Sequence, residues 1–73
     1  MSVRLIIDGA VYMVAAREAV ALVRRLRYRA GLGPWSPATS AAVMLEWALE
    51  QERPPGLTLT ADEAAAVRAA RRR

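Results

Sequence analysis

VRLIIDGAVYMV (Val3–Val14) decides the architecture of this 73-residue chain. The run is rich in β-branched and aromatic residues and is broken only by Arg4 and by Asp8-Gly9. Asp-Gly is a favoured pair for a two-residue type I′ turn, in which both central residues need positive φ. Read that way, Ile7 faces Ala10, Leu5 faces Tyr12 and Val3 faces Val14 on one side of a hairpin. Arg4, Ile6, Val11 and Met13 share the other side, so both faces are largely apolar. The competing reading keeps one strand and makes Asp8-Gly9 a bulge or a break.

Helices are expected to cover one face. Residues 15–30 repeat apolar side chains at helical spacing, with Ala19, Leu22, Val23, Leu26 and Ala30 on one stripe and Gly31 as the stop. GLGPWSP, with two glycines and two prolines, reads as a loop. A second helix is predicted over residues 37–52, with Ser36 as N-cap and Pro37 at the first helical position, where its missing N–H costs nothing. One side of it carries Ala38, Ala41, Ala42, Leu45, Ala48 and Leu49, the opposite side Ser40, Val43, Met44 and Trp47. A helix apolar on two sides is buried on two sides. Leu57–Leu59 reads as a short extended segment. Thr60-Ala61-Asp62-Glu63 is a capping box that opens a third helix over residues 61–71, and Arg71-Arg72-Arg73 is expected to fray. The predicted fold is α+β, a single domain over residues 1–73: a hairpin or ribbon at 3–14, then two to three helices.

A chain this short buries only about 60% of the surface its unfolded form exposes. Small domains compensate with disulfides, a metal or oligomerisation. With no Cys and no His, disulfides, thiolate zinc sites and imidazole ligands are excluded, so a homo-oligomer or a larger partner is expected to complete the structure. No stretch approaches the roughly 20 apolar residues that span a bilayer. Asp8-Gly9 interrupts the only candidate signal-peptide core, so a cytoplasmic protein without a membrane partner is the expectation.

Catalysis is not expected. General acid–base work at neutral pH relies on His or on a carboxylate shifted inside a cleft. The seven carboxylates here are scattered. Glu46 and Glu50 stand at i, i+4 but border Trp47 and Leu49 as the solvated edge of a helix. Ser36, Thr39 and Ser40 have no base and read as capping residues. No phosphate-cradling glycine motif is present, and no cofactor or metal is expected.

Charge is more informative. The net charge is +4, with all eleven basic residues Arg. That usage fits either coding bias or selection for a planar fork that grips phosphate, and composition leaves both open. Residues 1–35 hold six Arg against Asp8 and Glu18. Arg17, Arg24, Arg25, Arg27 and Arg29 lie outside the apolar stripe of the first helix, and Tyr28 projects opposite it, between Arg17 and Arg24. A Tyr flanked by guanidinium groups suits phosphate contact with ring stacking. The bland alternative is a solvated face whose Arg stems cover the core edge. Trp35 reads either as a lid on the core or as an exposed anchor.

SPATSAAVMLEWALEQE (residues 36–52) is similar to the second helix of ribbon–helix–helix DNA-binding proteins, and the order of elements over residues 3–52 is compatible with that family. The resemblance implies an intertwined homodimer with a two-chain ribbon in the major groove and a phosphate at the start of the second helix, around Ser36, Ala38 and Thr39. The sequence departs from the family in an apolar strand with Arg4 as its one good base-contacting side chain, in the stiff GLGPWSP loop, and in the third helix.

Two functional expectations follow. One is a non-catalytic protein-interaction or assembly protein (adaptor, subunit or inhibitor) acting as a homo-oligomer, with Ile6, Val11, Met13, Val43, Met44 and Trp47 as interface candidates and a protein partner. The alternative is a dimeric DNA-binding regulator or antitoxin-like protein using Arg4, Arg17, Arg24, Arg25 and Tyr28.

Overall fold

A computed structural model describes residues 1–72. Strand β1 (Ser2–Ile7) and strand β2 (Ala10–Ala15) form the hairpin. Helix α1 (Ala16–Ala30), helix α2 (Pro37–Glu50), strand β3 (Leu57–Thr58) and helix α3 (Ala61–Arg71) follow. The turn is the two-residue type expected, with φ of 51° at Asp8 and 78° at Gly9. The register is also as read, with Ile7 opposite Ala10, Leu5 opposite Tyr12 and Val3 opposite Val14. The single-strand alternative is therefore excluded.

The extended segment expected at Leu57–Leu59 forms a third strand, and its pairing is what sequence patterning does not reveal. β3 pairs in parallel with β1, Leu5 beside Leu57 and Ile6 beside Thr58, giving the order β2-β1-β3. The Leu59 N–H extends the ladder by donating to the Ile6 carbonyl at 3.0 Å. Period-two alternation then turns Leu57 and Leu59 into the core and Thr58 outward. Both edges of β1 are thus filled from within one chain.

The helices lie on one face of the sheet. Val3, Leu5, Ile7 and Val14 from the hairpin meet Ala19, Leu22 and Leu26 of α1 and Ala41, Ala42, Leu45 and Ala48 of α2. α3 packs chiefly against α1 and α2 and contributes Ala64, Val67 and Ala70. The row of alanines on α2 lets its neighbours approach closely, since helix separation follows the size of the side chains at the contact. No polar side chain is buried among the described residues.

Element boundaries differ from expectation for physical reasons. α1 begins at Ala16 because Ala15 is still paired with Ser2 and serves as an extended N-cap. α2 ends at Glu50, short of the predicted 52. Gln51 turns extended, its N–H donating to the Ala48 carbonyl at 3.1 Å, and starts the chain on its way to Leu57 beside Leu5. Arg71 does not fray: it closes α3 and pairs with Glu18 at 3.1 Å. Arg73, the last residue of that tail, lies outside the described residues.

The predicted two-sided burial of α2 is only half met. Ser40 donates to the Glu63 carboxylate of α3, and Met44 packs half-buried against the core. Val43 and Trp47 stay exposed. Trp35 is 69% exposed and does not lid the core.

Candidate interaction surfaces

Two surfaces stand out. The first is the sheet face that no helix covers. Ile6, Val11 and Met13 share it with Arg4, and Val11 and Met13 are 58% and 62% exposed. Ile6 is half-buried because Gly56 packs beneath it: a Cβ built at Gly56 would lie 2.9 Å from Ile6 Cδ1. Arg4 reaches toward the Pro54 carbonyl at 3.5 Å, the outer limit of a hydrogen bond. Ile6, Val11 and Met13, with Arg4 as the one charged side chain that the two hairpin strands place on this face, form a small sticky strip of the kind that marks contact sites.

The second surface is a groove of about 710 Å³ between α1 and the end of α3, lined by Arg24, Arg25, Tyr28, Arg29, Ala70 and Arg72. Tyr28 is 89% exposed. The arginines divide into two kinds. Arg25 donates to the Ala70 carbonyl at 3.4 Å, and Arg29 to the Ala69 carbonyl at 2.8 Å. These carbonyls belong to the last turn of α3, which has no intrahelical donors for them, and guanidinium groups there also suit the negative end of the helix dipole. Arg25 and Arg29 therefore already have structural work. Arg27 likewise pairs with Glu46 of α2. Arg17 and Arg24 make no side-chain hydrogen bond or ion pair among the described residues.

The sequence-derived candidates separate accordingly. Arg24, Arg25 and Tyr28 meet in the groove. Arg17 lies about 10 Å further along the same side of α1, at a helical rise of ~1.5 Å per residue. Arg4 is not part of this cluster, because it projects from the uncovered sheet face. Among the interface candidates, Ile6, Val11 and Met13 come together. Val43 and Trp47 stay exposed on α2, and Met44 packs half-buried against the core. Arg29 and Arg72 are additions to the groove. Arg29 was recoverable from its i+4 spacing to Arg25. Arg72 joins only through the docking of α3.

At the other end of α2 and α3, Glu63 completes the capping box: the Thr60 N–H donates to its carboxylate at 2.9 Å and its own N–H donates to the Thr60 hydroxyl at 3.1 Å. The Ser40 hydroxyl first, and the Thr60 N–H second, hold the Glu63 carboxyl below its ordinary value of 4.5. Among the described residues no three carboxylates gather into a metal-sized cluster, and no helix is long and apolar enough to cross a membrane.

Fold and surfaces together define a small α+β protein with a helix-covered sheet, an open apolar sheet face and a cationic groove on the helical side. No family model, curated protein or solved structure matches the chain.

Proposed function

We propose that this is a non-catalytic assembly protein that works as a homo-oligomer and engages protein through its sheet. Support comes above all from β2, whose residues Ala10–Ala15 are exposed at every position except Val14 and carry no charge. A strand so placed leaves apolar side chains and backbone groups to water, which a contact with another chain relieves. The half-covered sheet also agrees with the need of so short a chain for an external partner.

Absolute molar mass by light scattering tests this reading. A mass that is a multiple of 8.0 kDa is expected. A mass of 8.0 kDa at every concentration overturns it.

A second reading, a dimeric DNA-binding regulator or antitoxin-like protein, draws on the groove that joins Arg24, Arg25 and Tyr28. Phosphate contacts release counterions, so duplex affinity would fall steeply with salt. Affinity that is flat from low to physiological salt overturns this second reading.

A further inference from the structure

The two edges of the sheet are unequally defended. β3 is two residues long and follows Pro54-Pro55-Gly56, so its outer edge offers little to pair with. β2 is six residues long, reads AVYMVA, and runs through six uninterrupted pairs without a charge, a proline or a bulge. Short strands, charges, prolines and bulges are the devices that keep sheet edges from pairing with other chains. β2 has none of them.

The backbone of that edge is equipped to pair. In a two-residue hairpin the closing residues, here Ile7 and Ala10, exchange both hydrogen bonds, and alternation follows along the ladder. Ala10, Tyr12 and Val14 therefore spend their backbone groups on β1, and Val11, Met13 and Ala15 aim theirs outward. Among the described residues, the outward groups of Val11 and Met13 have no other backbone partner.

Building on the assembly reading above, we infer that the occupant of this edge is a second copy of the chain, its β2 antiparallel to the first, with Tyr12 facing Tyr12 of the partner subunit across a two-fold axis. A two-fold axis normal to the sheet keeps each side chain on its own face, so residues brought opposite one another share a face. Two registers keep most of the strand paired: Tyr12 on its counterpart, or Met13 on its counterpart. The Met13 register draws on the carbonyl of Ala15, which as N-cap turns to the first helical N–H groups of α1. The Tyr12 register uses only the outward groups of Val11 and Met13, which form four backbone hydrogen bonds with the partner's Met13 and the partner's Val11. It also brings the Asp8 turn of each copy beside the first turn of α1 in the other, where Arg17 is exposed. Tyr12, 47% exposed in the single chain, gains a ring to pack on. The result is a six-stranded sheet with β3 at both ends, and the apolar strips of Ile6, Val11 and Met13 become one platform.

Two variants test this. Met13→Pro removes an outward N–H and leaves the β1 ladder intact, because that ladder does not use it. It is expected to halve the mass of the dimer and leave the far-ultraviolet circular dichroism unchanged. Tyr12→Cys, in a chain with no other Cys, is expected to form a covalent dimer on mild oxidation. Opposed Cα atoms in such a non-hydrogen-bonded pair stand about 4.5 Å apart, within disulfide reach. Val11→Cys, whose counterpart lies two residues further along, stays uncoupled. A wild-type monomer overturns both this inference and the assembly reading. A wild-type oligomer that survives Met13→Pro, with Tyr12→Cys uncoupled, overturns edge pairing alone and leaves assembly standing. Coupling through Met13→Cys in place of Tyr12→Cys overturns the register. A dimer-sized mass that appears only with a foreign protein bound overturns self-pairing.

Discussion

Arg29 of α1 donates to the carbonyl of Ala69, 2.8 Å away in the last turn of α3. The contact ties two helices through residues 40 positions apart in the chain, and it removes one guanidinium from the set available to a ligand. Arg29→Ala is therefore expected to lower stability by about 1 kcal/mol, the usual worth of a hydrogen bond combined with a cation at a helix C-terminus. Arg24→Ala lines the same groove without such a contact and is expected to stay within ~0.5 kcal/mol of the parent. Urea midpoints of the two variants measure the difference, and equal losses would show that the Arg29 contact adds nothing.

Core substitutions have a graded consequence. Leu22 of α1 and Leu45 of α2 are fully buried where the two helices meet the sheet. Truncating either to Ala is expected to cost about 2–5 kcal/mol, a transfer loss plus a cavity. That is a large share of the roughly 5–15 kcal/mol by which domains are stable. Both variants are expected to unfold at a clearly lower urea concentration than the parent, as far-ultraviolet dichroism of the three helices will report.

Acid sensitivity has one identifiable source. Glu63 is held below its ordinary value of 4.5 by the Ser40 hydroxyl and then by the Thr60 N–H. The unfolded chain thus takes up a proton at Glu63 at a higher pH than the folded one. The stability this carboxylate contributes is fully present above 4.5 and is lost as pH falls through its lower folded value. Glu63→Gln is expected to flatten the decline in urea midpoint on acidification. Ser40→Ala should flatten it in part, since the contacts with the Thr60 backbone and side chain remain. A parent-like slope in Glu63→Gln would assign the acid loss elsewhere.

The hairpin turn offers a test of backbone strain alone. Gly9 has φ of 78°, and a Cβ there would meet nothing within 4 Å. Gly9→Ala therefore costs only its left-handed conformation, about 1–2 kcal/mol. Thermal unfolding is expected to shift down by several degrees, at roughly 4–8 °C per kcal/mol for a domain of this size. Gly9→Asn, which tolerates that region better, is expected to recover part of the loss.

Local signals account for what was legible in advance. Asp8-Gly9 between apolar runs carries its own turn chemistry, and it was enough to set the hairpin register. Ser36-Pro37 and Thr60–Glu63 announce helix starts through side chains that reach only three residues along the chain. The stripe Ala19, Leu22 and Leu26 follows from helical periodicity. The candidate sites were less legible. Arg25 and Tyr28 were recognisable as a pair on one helix, but the role of Arg25 as a cap for α3 depends on a residue 45 positions away.

The amino-acid order alone therefore settles the elements of this protein, their faces and its lack of cysteine and histidine, because these depend on neighbours a few residues apart. The folded arrangement alone decides that β3 joins β1 and closes its second edge, that α3 takes up Arg25, Arg29 and Ser40, and that Arg4 and Tyr28 end on different surfaces. Those outcomes depend on contacts between segments distant in sequence, where packing and backbone pairing override any local preference. They also leave the outer edge of β2 as the one long strand edge without a partner among the described residues.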